Sequence, residues 1–363
     1  MFRAVRLVVA VGVMAAAVLA PVSATWAGPS GEAGPSQEEA LKALIDQEYS
    51  LALAESGETM PLVTGPVAAA STEGEAETPV SGDSAPKKGL PLPLHNIEGV
   101  GGAPLTPMAY LVNPGPAGTN VPLPSASYSF LKAGRKTLQV FGVTETLWKR
   151  IEIGYAFLGL GLGDFPDKVE RATGVDIGDD DVHMHEFNIR GLLIEESAYC
   201  PAVTAGAQFK RNDDVQGINS RLGGGVRALG MDRSNGTDFT ITMSKTFGDL
   251  AFGRPVIVTG GMRFAQGAQL GLLGFDDCYR FTGEGSVVCL VTDWFALGYE
   301  YRQKKNPYRR LGNLVGKEDA WQAIFFAFIL SDRCTLAGGW GDLGNLANGT
   351  EDQAWALQFK YEF

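Results

Sequence analysis

The last nine residues, WALQFKYEF, put Trp355, Leu357, Phe359, Tyr361 and Phe363 on one parity and Ala356, Gln358, Lys360 and Glu362 on the other. A two-residue period marks an extended strand whose faces meet different surroundings. The pattern recurs upstream. Ile151, Ile153, Tyr155 and Phe157 alternate with Glu152, Gly154 and Ala156; Val203, Ala205, Ala207 and Phe209 with Thr204, Gly206, Gln208 and Lys210; Phe295, Leu297, Tyr299 and Tyr301 with Ala296, Gly298, Glu300 and Arg302. A soluble sandwich would show an aliphatic core face and a uniformly polar exterior. Here the apolar parity is rich in aromatics that reach the strand ends, where membrane-interface girdles belong, and the other parity is small or charged.

Twelve strands are predicted, near 125–133, 137–146, 149–160, 184–196, 202–211, 236–247, 254–265, 279–290, 294–304, 320–330, 334–342 and 353–363. Short links at 147–149, 199–201, around Asp249, at 292–293 and at 331–333 separate long connections such as QKKNPYRRLGNLVGKED. Short turns on one rim and long loops on the other predict a closed antiparallel transmembrane β-barrel, all-β, of about twelve strands. An even number places both ends of the barrel on the short-turn rim. Two segments resist the alternation. In AWQAIFFAFIL (320–330) both parities are apolar. The segment LTPMAYLV (105–112) carries Pro107 and reads as a thirteenth strand, as half of a hairpin in a fourteen-stranded barrel, or as an inward plug. The pattern alone leaves these three open.

Composition sharpens this reading. Forty-seven glycines in 363 residues suit twisted strands and turns better than helices. A net charge of −11 supplies no basic excess for phosphates, so no nucleic-acid partner is expected. Arg3 and Arg6, the apolar stretch Leu7–Ala20 and the small residues of Val22-Ser23-Ala24 predict a secretory signal over 1–24. That stretch is shorter than the ~20 residues of a membrane span. Residues 25–97, rich in Ala, Pro, Gly, Ser and Glu, are expected to form a disordered periplasmic linker, with one short amphipathic helix near 37–55 where Ser36 and Glu39 form a capping box. The barrel is then expected over 98–363.

The stretches EGVGGAPLTPMAYL (98–111), AQFKRNDD (207–214), GTDFTITMSKTF (236–247), GLLGF (271–275), LGYEYRQKKNPYRRLGNLVGKEDAW (297–321) and WGDLGN (340–345) resemble a family of uncharacterised Gram-negative outer-membrane barrels. Its members share a GLLGF-type loop, a YRRKP…KEDDW-type block and a DLGN loop. The resemblance spans about 98–363 and implies a fold and an outer-membrane location, with no activity attached. The terminal Phe363 and its alternating aromatics are also similar to the signal read by barrel assembly machinery.

Candidate chemistry is sparse. Gly159 to Gly163 follow an apolar strand as in a nucleotide-binding turn, but Pro166 and a polar loop stand where a helix should begin. Asp176, Asp179, Asp180, Asp181, His183, His185 and Glu186 lack regular ligand spacing and read as a solvated acidic loop, so no metal is expected. Lys304, Lys305, Arg309 and Arg310 form a basic outer loop suited to anions or lipid phosphates. Cys200, Cys278, Cys289 and Cys334 fall on distant or non-neighbouring positions, and no disulfide is expected. With His95, His183 and His185 as the only histidines, no nucleophile–base–orienter set can be built, so neither an enzyme nor a cofactor is expected.

The inward parity holds Glu152, Arg190, Lys210, Arg263, Glu300, Arg302, Lys360 and Glu362. A twelve-stranded cylinder is wider than the side-chain-filled eight and narrower than the open sixteen. These charges therefore suggest a narrow channel or passive transporter for small polar or charged solutes, embedded in outer-membrane lipid. The alternatives are a structural or loop-binding barrel without conductance and, behind it, a lipid-modifying barrel enzyme.

Overall fold

The computed structural model describes residues 92–363 apart from 117, 179, 229, 252, 305–318 and 345–352. The expected signal segment and the helix near 37–55 lie outside the described residues, as do Lys305, Arg309 and Arg310. A short hairpin comes first, β1 (Leu94–His95) against β2 (Gly101–Gly102). Twelve long strands follow: β3 (Ser125–Ala133), β4 (Lys136–Leu147), β5 (Ile151–Gly161), β6 (Asp181–Ile194), β7 (Ala202–Asn212), β8 (Asn235–Ala251), β9 (Arg254–Gly267), β10 (Phe275–Leu290), β11 (Phe295–Arg302), β12 (Trp321–Ser331), β13 (Cys334–Asp342) and β14 (Gln353–Glu362). Each pairs antiparallel with the next and β14 pairs with β3, so the sheet has no edge. The barrel has twelve strands, and 105–112 is not one of them.

The strands begin and end within a few residues of their predicted limits. The largest departures are β8, which runs on to Ala251, and β10, which starts at Phe275. In both, the pairing register shifts near the added end, between Phe247 and Ala251 and between Phe275 and Arg280. A bulge breaks strict alternation, which hides such an extension from a period-two reading. The rim that carries the long loops also holds the two-residue turn between β3 and β4. The loop after Pro166, read from the sequence as non-helical, contains a helix over Phe165–Thr173 with the proline in its first turn and Gly174 closing it in the left-handed region. Proline is compatible with that first turn because the N–H it lacks has no intrahelical partner there. The preceding glycines cradle nothing in the sheet: Gly159 and Gly161 are paired residues of β5.

Parity decides what each strand shows to either side. Phe141, Ile153, Phe209, Ile241, Phe264, Leu297, Ile324, Trp355, Leu357 and Phe359 lie exposed on the outer surface. Their neighbours Glu152, Lys210, Thr242, Arg263, Glu300, Gln358 and Lys360 are buried. An outer surface of exposed aromatic and aliphatic side chains around an edgeless sheet is the form a barrel takes in hydrocarbon, where every backbone group must be satisfied within the sheet. Among the described residues no helix is long and apolar enough to cross a membrane; the crossing elements are strands.

The interior holds a plug. Residues 92–113 enter at the short-turn end and rise through β1 to a tip formed by Ile97 and Glu98. From there β2 descends to the level of Leu94, the chain turns back to set Leu105 beside Ile97, and it then descends to Tyr110 and Val112; almost all of these residues are buried. Leu94 to Ile97, which the sequence reading places in the linker, are buried within the plug. Gly102 shows how tightly the segment is folded. A Cβ there would run into the Thr106 carbonyl oxygen and the Pro107 Cα, backbone atoms that cannot turn aside. The plug also explains the doubly apolar β12. The inward residues Phe325 and Ala327 pack with Leu94, Ala103 and Met108 of the plug and with Ile257, Val288 and Ala296 of neighbouring strands, while Ile324 faces outward.

Ile241, near the middle of β8 on the outer parity, tests the assignment of faces. Ile241→Arg is expected to destabilise the barrel refolded into phospholipid vesicles by about 2–4 kcal/mol, the cost of a cation at mid-bilayer depth. Denaturant titration of the refolded variant against wild type measures it, and an unchanged midpoint would place that face in water.

Candidate functional site

All eight inward charges predicted from parity are buried inside the barrel. They do not line an open bore. Four groups of them grip the plug, chiefly through its backbone.

The first is Glu152 of β5 with Arg190 of β6, adjacent across the sheet. Arg190 Nε and Nη2 donate to the two Glu152 oxygens at 2.8 and 2.7 Å. The same carboxyl accepts from the backbone N–H of Gly101 at 3.1 Å and of Val112 at 2.8 Å. Arg190 in turn donates to the carbonyl of Met108 and, at 2.8 Å, to that of Tyr110. One ion pair thus holds β2 and the last stretch of the plug, from Met108 to Val112.

The second is Glu300 of β11. Its carboxyl accepts from the backbone N–H of Leu105 at 2.9 Å and of Thr106 at 2.8 Å, and from the Thr106 hydroxyl at 2.9 Å. Three donors on one carboxyl fix the descending limb.

The third surrounds Glu98, the one acidic residue in the plug. Its carboxyl meets Lys210 Nζ at 2.5 Å, Arg263 Nη2 at 3.0 Å and Arg302 Nη1 at 2.7 Å. Asp238 and Glu284 join from the wall, Asp238 at 2.8 Å from Lys210 and Glu284 at 3.3 Å from Arg263. Glu186 is the exception, with its nearer oxygen 3.9 Å from Lys210 and no hydrogen bond to either oxygen among the described residues. Glu98 can reach three cations because it sits in the turn between β1 and β2. Asn96 Oδ1 braces that turn by accepting from the N–H groups of Glu98 and Val100.

At the lower end Lys360 Nζ donates to the Pro93 carbonyl and to Glu362, both at 2.7 Å. Gln358 donates to the His95 carbonyl at 2.6 Å. His95 lies between Ser127 Oγ at 2.7 Å and Thr144 Oγ1 at 2.8 Å, a Ser–His contact sealed between plug and wall. Below it, Tyr110 Oη donates to Glu196, in the turn after β6, at 2.5 Å. Burial raises the Glu196 carboxyl pKa, but the hydrogen bonds from Tyr110 and from Thr246 and Lys245 outweigh burial and hold it below the ordinary range.

The remaining candidates fall elsewhere. His183 and His185 are on the outer parity of β6, against Phe157 and Tyr155, with Asp214 3.2 Å from His183 and Asp213 3.1 Å from His185. Glu186, one residue on, points inward, so the acidic stretch does not converge on one point. Lys304 donates to the Leu343 carbonyl at 3.1 Å and stands over the Trp321 ring. In the C-terminal strand Trp355, Leu357, Phe359 and Phe363 face outward and Tyr361 is partly exposed.

Sequence reasoning missed Glu98, Asp238 and Glu284. The last two share the inward parity with Thr240 and Ser286 and were legible by alternation. Glu98 was not, because it lies outside any strand. The GLLGF stretch was legible only as a motif. It folds inward over the upper end of the barrel, with Phe275 fully buried and Asn212 donating to the carbonyls of Gly271 and Leu272 at 3.1 and 2.9 Å. Gly274 adopts φ 92°, and a Cβ there would strike the Met231 carbonyl oxygen, so this bend requires glycine.

Several solved barrels share part of this shape. LpxR from Salmonella typhimurium is 8% identical with a TM-score of 0.42, covering 66% of this chain and 100% of its own. The KdgM porin in complex with disordered oligogalacturonate is 7% identical with a TM-score of 0.40, covering 66% and 99%. Omp33 from Acinetobacter baumannii is 8% identical with a TM-score of 0.36, covering 67% and 99%. No curated protein matches by sequence. Plug and barrel together, residues 93–360, match the family described as protein of unknown function DUF3034, and the chain belongs to that family.

Proposed function

We propose that the protein is an outer-membrane barrel that provides a gated path for small polar or charged solutes, its own plug being the gate. The observation that carries this reading is how the plug is held. Glu152, Arg190, Glu300 and Arg302 bind its backbone N–H and C=O groups, the partners for which water or a polar solute can substitute. Both ends of the plug leave through the short-turn rim, so it can withdraw toward the periplasm without threading a loop. The wall it uncovers carries charges of both signs, a surface suited to small ions and polar solutes. With the plug seated, the protein is a closed barrel.

The rival of a purely structural barrel rests on the same hydrogen bonds, and locking the plug separates the two. Ala109 N–H donates to Ser244 Oγ at 2.9 Å, so cysteines at both positions, with the four native cysteines replaced by serine, bring plug and wall within bridging reach. In planar bilayers the reduced Ala109→Cys, Ser244→Cys protein is expected to open intermittently, and oxidation is expected to abolish the openings. Openings that persist in the oxidised protein would show that the path does not run through the plug. A reduced protein that never opens would favour the structural barrel.

An enzymatic role has less support. Among the described residues the one Ser–His contact is buried under the plug with no acidic group bonded to the imidazole, so no lipid carbonyl reaches it.

The Tyr110–Glu196 strap makes the gate sensitive to acid. Glu196 has a lowered folded pKa. Its hold on the plug is therefore complete above the unfolded value and is lost as pH falls through the folded one. Opening frequency is expected to rise when the short-turn side is acidified below the ordinary carboxylate range, and Glu196→Gln is expected to show the raised frequency at neutral pH with little further response. An equal acid response in wild type and variant would assign the effect elsewhere.

We also assign the exported N-terminal extension to the periplasm and the C-terminal strand to recognition by the assembly machinery. Deleting Phe363 is expected to lower the assembled fraction in cells several-fold, read as loss of the heat-modifiable band on gels. Full assembly of the truncated chain would remove the terminal aromatic from that role.

A further inference from the structure

Over the plug tip, where Ile97 and Leu105 form a floor, lies an apolar cavity of about 70 Å³ walled by Leu131, Leu138 and Leu160 and roofed by Leu272. A second void of about 50 Å³ shares Ile97, Leu105, Leu131 and Leu138 with it. Water needs ~10–15 Å³ of such space per molecule together with polar partners, and these walls offer almost none. Each space is several times that size and without polar reasons to be wet. Four stretches far apart in the sequence meet here: Leu105 from the plug, Leu272 from GLLGF, Trp321 from the end of KEDAW and Leu343 from WGDLGN.

The chamber wall carries a buried donor without a partner. Trp321 lines it, is 5% exposed, and its indole Nε1–H has no hydrogen-bond partner among the described residues. A buried donor without an acceptor costs more than the bond it could make. Two cations stand over the ring, Arg302 at 5.7 Å from its centroid, itself paired to Glu98, and Lys304 at 5.5 Å. Leucine walls around neighbouring voids fit a hydrocarbon chain, and an indole N–H beside two cations fits the oxygen of an anionic head.

We propose that this chamber binds a single-chain amphiphile, an aliphatic chain of several carbons ending in a carboxylate, with the chain among the leucines and a head-group oxygen accepting from Trp321 Nε1–H. The site stands on the seated plug, whose residues form its floor, and does not depend on whether the plug moves.

Binding of radiolabelled straight-chain carboxylic acids of four to ten carbons to the full-length protein in phospholipid nanodiscs tests this, with empty nanodiscs as background. Saturable binding at one site per barrel is expected, strengthening about fourfold per added CH₂ until the chamber is full and then levelling. Ala133 also lines the cavity, and Ala133→Leu is expected to shorten the chain length at which the rise stops. Trp321→Phe keeps the apolar ring and removes the donor. It is expected to weaken octanoic acid by about three- to tenfold and to leave octane unchanged. The heat-modifiable band confirms that each variant is folded. Binding that never exceeds the empty-nanodisc background overturns the proposal, as does saturable binding indifferent to both substitutions. Equal loss of octanoic acid and octane in Trp321→Phe would overturn the head-group assignment.

Discussion

A cylinder of twelve strands is too wide for its own side chains to fill and too narrow to be a spacious aqueous channel. Everything else in the interior answers that constraint. Long inward side chains such as Arg190, Lys210, Glu300 and Arg302 reach inward, and a buried charge must find partners there. The plug supplies them with little side-chain chemistry of its own. Its backbone N–H groups at Gly101, Leu105, Thr106 and Val112 and its carbonyls at Met108 and Tyr110 meet the wall's carboxyl and guanidinium groups. The exchange is reciprocal, because a hairpin as short as β1–β2 cannot pair all its own backbone groups, and buried unpaired ones would be costly.

The plug is therefore matched to the wall on two sides by different physics. Toward β3–β9, β11 and β14 it is held by ion pairs and hydrogen bonds. Toward β10, β12 and β13 it is held by apolar contact, Leu94, Ala103 and Met108 against Val288, Phe325, Ala327 and Ala337. Hydrogen bonds fix position and register because they are directional, whereas the apolar contact fixes only the side on which the plug lies. Removing one partner from the ionic side would leave a charge buried without its complement, which costs more than the pair contributes.

The strands were legible because alternation is a property of every residue in them, and a one-residue slip would turn Glu152 or Lys360 out into hydrocarbon. Parity alone placed all eight inward charges. Their partners were not legible. The groups they bind on the plug are mostly N–H and C=O groups, which every residue carries, so LTPMAYLV could be read as a strand, half a hairpin or a plug with equal justice. One signal did point to a filled lumen. The inward parity of β12 holds Trp321, Phe325 and Ala327, a face that a water-filled channel would not favour. The helix at Phe165–Thr173 is hidden for a different reason, since a proline reads as a breaker in a sequence although the first helical turn tolerates it.

The distribution of charge also decides what moving the plug would entail. Of residues 92–113 only Glu98 carries an acid and none carries a Lys or Arg, while the wall holds Lys210, Arg263, Arg302, Glu152 and Glu300. A plug bristling with charged side chains would leave many of them to be rehydrated or re-paired on withdrawal. This one carries off a single carboxyl, and its exposed amides are ordinary backbone that water satisfies. The wall side is costlier, because Lys210, Arg263 and Arg302 would lose Glu98 together. They would keep Asp238 and Glu284, at 2.8 Å from Lys210 and 3.3 Å from Arg263, so two of the three cations retain a close carboxyl after Glu98 departs. Arg302 has Glu284 only at 3.6 Å and also gives up its bond to the Leu105 carbonyl, which makes it the wall residue most dependent on a seated plug.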